Sequence, residues 1–133
     1  MAQLDYAFLA EHAAIQEGKL TVVGASFTKA IGGTFLFFYV AGRIRADEGH
    51  EPFELSIEMV PPGDEPEVRW ATSLSEGGAH ARYDNKVAYL FALRTAAKVE
   101  TKGLYHVNIS LDGLLVRHLA FEAVEAVEAA ETT

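Results

Sequence analysis

The chain contains no cysteine. That excludes a disulfide framework, a thiolate metal site and a cysteine nucleophile. It is also short of basic residues: 11 Lys and Arg stand against 19 Asp and Glu, a formal charge of −8 with neutral histidine. A duplex-binding surface needs clustered cations to replace counterions around phosphates. Here the basic residues are scattered, and the densest pair is Arg43 with Arg45. Neither nucleic acid nor an anionic membrane is expected as a partner. Long apolar runs are missing as well: the longest, Thr34 to Gly42, is half of the roughly 18 residues a membrane span requires. The opening Met-Ala-Gln-Leu-Asp-Tyr has neither the positive region nor the apolar core of a signal peptide, so the expected compartment is the cytoplasm.

What is present is a chain of 133 residues, half of them hydrophobic. That suits one domain able to bury roughly two thirds of the surface its unfolded form exposes. Its organisation turns on residues Asp5 to Gly24. As a helix, Leu4, Phe8, Ala14 and Ile15 make no continuous stripe. As strands, Leu4, Tyr6 and Phe8 alternate with Asp5 and Ala7. Glu17-Gly18-Lys19 then offers a turn, and Leu20 to Val23 is β-branched and extended. Ala10 to Ala14 fits either state, and the downstream pattern decides for a hairpin.

Downstream, Phe35 to Arg45 is aromatic and β-branched. Phe53, Leu55, Ile57 and Met59 alternate with Glu54, Ser56 and Glu58. Pro61 to Pro66 reads as a loop. Val68 to Leu74, Val87 to Leu93, and Tyr105 to Leu111 keep the period of two, and Leu114 to Phe121 returns after Asp112-Gly113. This predicts an all-β fold, an antiparallel β-sandwich of about eight strands with immunoglobulin-like or jelly-roll topology. The domain is expected over residues 1–121, followed by an acidic Ala/Glu-rich tail over 122–133. In the last hairpin a bulge at Gly113 is expected, because it puts Leu115, Leu119 and Phe121 on the Val107 face and leaves Arg117 to snorkel. Gly103-Leu104-Tyr105 has the G-x-Y spacing of a tyrosine corner, which would give a buried Tyr105 hydroxyl a backbone partner.

Two stretches together resemble a known pattern. Asp5-Tyr6-Ala7-x-Leu9-Ala10-Glu11 followed by Gly18-Lys19-Leu20-x-Val22-x-Gly24 is similar to the opening of a small uncharacterised bacterial β-sandwich family. Gly103, Tyr105, Asp112-Gly113 and Phe121 match its ending. The resemblance implies the sandwich and carries no assigned activity and no functional residue. The Ala/Glu-rich C-terminus departs from the family pattern.

Chemistry is sparse. No two of His12, His50, His80, His106 and His118 fall at H-x-H or H-x3-H spacing, so no metal site is expected. The serines lack a glycine elbow, and no catalytic residue or cofactor is assigned. The glycine-rich Gly24 to Thr34 lacks the order of a phosphate loop and reads as a connection between sheets. The segment Ser75 to Lys86 gathers His80, Arg82, Tyr83, Asp84 and Asn85 beside Gly77-Gly78. It is the candidate binding loop, since loops on a rigid frame carry recognition and Arg and Tyr are hot-spot types.

One strand carries more apolar surface than a two-layer fold can bury: Leu36, Phe38 and Val40 oppose Phe35, Phe37 and Tyr39. Exposed apolar patches of several hundred Å² are uncommon on monomers. Self-association is therefore expected, most simply as a twofold dimer through the face bearing Leu36, Phe38 and Val40. The expected function is a non-catalytic, self-associating interaction module with an unknown protein partner. The alternatives are a small-ligand binder with a cavity near Trp70, Tyr89, Phe91 and Tyr105, enzymatic or not, and a structural component of a larger, phage-like assembly.

Overall fold

The computed structural model describes residues 2–63 and 68–125. Among these described residues ten strands run in order: β1 (Gln3–Gln16), β2 (Lys19–Ala25), β3 (Lys29–Ile31), β4 (Thr34–Asp47), β5 (Phe53–Val60), β6 (Val68–Leu74), β7 (Ala81–Tyr83), β8 (Lys86–Val99), β9 (Gly103–Leu111) and β10 (Leu114–Val124). They form two five-stranded sheets, ordered β2-β1-β4-β8-β7 and β3-β10-β9-β5-β6. The molecule is an all-β sandwich, and the three-residue strands β3 and β7 add to the eight expected. Among the described residues no helix is long and apolar enough to cross a membrane.

The opening stretch is a hairpin. Gln16 pairs with Lys19, and Glu17 and Gly18 take φ of 53° and 72°, the left-handed pair of a type I′ turn. Ala10 to Ala14 stays in β1 because Ala10 and Ala13 are buried, and packing overrides alanine's helical preference. At the last hairpin Asp112 and Gly113 form a two-residue turn with φ of 48° and 79°. The extra residue lies at Val116 rather than Gly113, between the pairs Leu115↔Ser110 and Arg117↔Ile109. The slip brings Leu119 opposite Val107 and Phe121 opposite Tyr105, the face expected for them. Leu115 precedes the bulge, so it stays on the other face and is exposed.

The inner faces meet in one core. Tyr105 and Phe121 stack with ring centres 5.2 Å apart, and Phe38 meets Phe121 edge-on at 5.6 Å. The Tyr105 hydroxyl donates to the Thr101 carbonyl at 2.8 Å and accepts the Thr101 N–H at 3.3 Å. This is the bond a tyrosine corner predicts. Gly42 is needed for close approach, since a Cβ there would lie 2.6 Å from the Phe91 ring.

Where the chain changes sheets, consecutive glycines bond to both. The Gly32 N–H donates to Val124 of β10 at 2.8 Å, and the Gly33 N–H donates to Val99 of β8 at 2.6 Å. β3 runs parallel to β10, Ala30 opposite Ala123, an exception to the antiparallel pairing expected throughout. The strand β10 thus overruns the expected domain end at residue 121. Ala123 and Val124 are buried, and the Glu122 N–H donates to Thr28 at 2.8 Å, so strand pairing outlasts the apparent change in composition. The remainder of the expected tail, 126–133, and loop residues 64–66 lie outside the described residues.

Candidate functional site

The segment expected to be a free binding loop is a turn followed by an edge hairpin. Ala81–Tyr83 pairs with Lys86–Ala88 of β8, and Asp84 and Asn85 form the turn with φ of 49° and 57°. His80 extends that pairing: its N–H donates to the Ala88 carbonyl at 2.8 Å, and its Nδ1 accepts the Leu90 N–H at 3.1 Å. Arg82 bonds the Glu76 carboxylate at 2.8 Å and the Glu76 carbonyl at 3.3 Å. The other Glu76 oxygen accepts the Gly49 N–H at 2.6 Å. The Arg82 guanidinium, then that amide, hold the Glu76 carboxyl below its ordinary value, and the same pair raises Arg82. His80, Arg82 and Asp84 are therefore engaged in building the hairpin.

Tyr83 is the one of the four that faces a recess. It points to the face opposite Arg82, its hydroxyl takes a hydrogen bond from Arg43, and that guanidinium lies 5.1 Å from its ring centre. Sheet order puts β2 and β7 at opposite edges, yet a Cβ on Gly18 would lie 3.5 Å from the His80 carbonyl. The β1–β2 hairpin must therefore arch over the sheet's outer face. Beneath it is a groove of about 510 Å³ lined by Tyr6, Lys19, Leu20, Arg43, Tyr83 and Leu90. Arg43 and Arg45 share the single carboxylate of Asp5, at 3.2 and 3.6 Å. With Lys19 and Arg43 in its lining, the recess combines aromatic walls with positive charge.

The expected self-association face must be corrected. Leu36, Phe38 and Val40 point inward; Phe38 and Val40 are each 1% exposed, and Leu36 packs against the core. The outward residues are Phe35 and Phe37, 62% and 55% exposed, followed by Tyr39. A strand apolar on both sides carries no alternation of its own, so its partner decides. Lys98 of β8 sits opposite Phe35 and Arg94 opposite Tyr39, and these cations mark the wet face. The Arg94 guanidinium lies 5.0 Å from the Phe37 ring centre. The cations Arg94 and Lys98, on one face of β8, were the available signal.

The other sheet gathers residues that the sequence reading did not link. His106 Nδ1 lies 2.8 Å from His118 Nε2, and His118 Nδ1 lies 2.7 Å from Asn108 Oδ1. Asn108 Nδ2 donates to Glu58 at 3.4 Å, and Glu58 pairs with Arg69 at 3.7 Å. The bulge at Val116 creates this juxtaposition, because it turns His118 to the outer face opposite Asn108. Among the described residues no three His, Cys, Asp or Glu side chains converge as a metal cage. The aromatic groups suggested for an internal cavity are packed: Tyr89 and Tyr105 are buried, and the Tyr89 hydroxyl bonds His50.

Comparison with known proteins gives a family and a distant structural likeness. A family described as "Family of unknown function (DUF6941)" matches residues 5–124. An immunoglobulin-like protein from Pseudomonas aeruginosa, solved by crystallography, is 12% identical with a TM-score of 0.45, over 93% of this chain and 97% of that one. No curated protein matches the chain.

Proposed function

The chain belongs to the DUF6941 family of unknown function, and from that premise we propose that it is a non-catalytic interaction module that pairs with itself through the outer face of β4. The carrying observation is the exposure of Phe35 and Phe37 side by side on that face. Large aromatic side chains held in a rigid strand are costly to leave in water and typical of interface centres. The cations Arg94 and Lys98 of β8 flank the aromatics on the same face. The aromatic and cationic groove beneath the β1–β2 hairpin is the second surface, suited to an acidic side chain of a different protein.

Analytical ultracentrifugation tests the pairing. The unaltered chain should sediment as a dimer. Phe35→Glu with Phe37→Glu should sediment as a monomer while keeping the β circular-dichroism spectrum. A monomeric unaltered chain, or a dimer that survives both substitutions, would remove the proposal.

A further inference from the structure

We propose that His106 and His118 form a binding site for a late divalent transition-metal ion on the outer face of the second sheet. The two facing ring nitrogens lie 2.8 Å apart, on strands whose backbone pairing fixes their spacing. Metal–imidazole bonds of about 2.0–2.1 Å, taken at a right angle, place two cis nitrogens about 2.9 Å apart. The pair thus has nearly the separation of adjacent ligands on a tetragonal ion such as Ni(II) or Cu(II). Each ring has only to turn about its soft second torsion for both lone pairs to meet at one point.

The groups behind the pair supply what a metal-binding histidine needs. The Asn108 amide donates to Glu58, so its oxygen is left to accept from His118 Nδ1–H. That bond sets the His118 tautomer with a lone pair on Nε2, the nitrogen facing His106. In the metal-free chain that lone pair accepts the His106 Nδ1–H; on metal binding the His106 proton passes through solvent to Nε2, which frees Nδ1 as the second ligand. A ligating imidazole held by a hydrogen-bonded outer partner is the recurring pattern of metal sites. His118 is solvent-exposed and His106 half-buried, leaving room for water to fill the remaining positions. The site is independent of the aromatic face of β4, which belongs to the other sheet.

Calorimetric titration of the intact chain with NiCl2, repeated with ZnCl2, tests the site. One ion per chain should bind, and either His106→Gln or His118→Gln should abolish the heat. Asn108→Ala, which leaves both ligands, should weaken affinity about 10–100-fold, as loss of an outer partner does. Circular dichroism confirms that each variant is folded. Absence of binding by the unaltered chain would overturn the proposal. So would binding that persists in the double variant His106→Gln/His118→Gln, where the N-terminus and other histidines remain. A pairing failure in the ultracentrifuge would not bear on this result, nor this result on the pairing.

Discussion

On the outer face of β5 and β9, Ser56 stands opposite Ser110 and Glu58 opposite Asn108; on the outer face of β4, Phe35 and Phe37 stand beside Lys98 and Ala96. The two sheets otherwise follow the same rule, with Leu55, Ile57, Val107 and Ile109 buried on one side and Phe38, Val40, Tyr89 and Phe91 buried on the other. Burial on the inside requires only apolar alternation, which both sheets have. The outside is free to be polar, and β5 and β9 take that freedom while β4 at Phe35 and Phe37 does not. Aromatic groups placed where serine would serve are what the proposed pairing rests on.

The comparison can be broken most forcefully at adjacent residues of β4. Phe38→Ala should cost about 3–5 kcal/mol in urea unfolding, the usual loss for a buried phenylalanine. Phe37→Ala, measured at a protein concentration where sedimentation shows monomer, should stay near the roughly 0.5 kcal/mol of surface changes. Equal losses would mean that the inner and outer faces of β4 have been exchanged. A second test transplants the aromatic pair. Ser56→Phe with Ser110→Phe should leave stability within about 1 kcal/mol yet give the second sheet a new tendency to associate, seen as higher mass in sedimentation. No gain in mass would show that exposed aromatics alone do not drive pairing, and that charge placement around β4 matters more.

The smallest effect concerns the edge of the first sheet, where charge holds the hairpin. Glu76 is held below its ordinary 4.5 by Arg82 and the Gly49 amide. Its contribution is therefore complete above pH 4.5 and fades as pH falls through the lower folded value. Glu76→Gln should flatten that portion of the acid-stability curve, followed by denaturant midpoints between pH 7 and pH 3. An unchanged slope would place the anchoring of β7 in its backbone bonds alone.

Much of the fold was legible because period-two alternation survives in most strands. Asp112-Gly113 and Glu17-Gly18 also have the chemistry of left-handed turns. Tyr105 was legible for a related reason, since a buried hydroxyl has few ways to be satisfied. The candidate site was less so. Asp84-Asn85 makes the same kind of turn without glycine, so β7 looked like loop. Which side of β4 faces inward depends on β8, some fifty residues away. The histidine pair depends on a single extra residue at Val116, and no local spacing records a cross-strand register. Strand propensity is local, whereas register and facing are properties of pairs.

The glycine corner has a kinetic corollary. Gly32 waits for Val124 and Gly33 waits for Val99, so a joint near the first quarter of the chain cannot close until almost the last described residue has emerged. Loop-closure entropy must be met before such distant contacts return anything, which slows folding. A chain leaving the ribosome would hold the start of β4 unsatisfied until β8 has emerged, and β3 until β10 arrives.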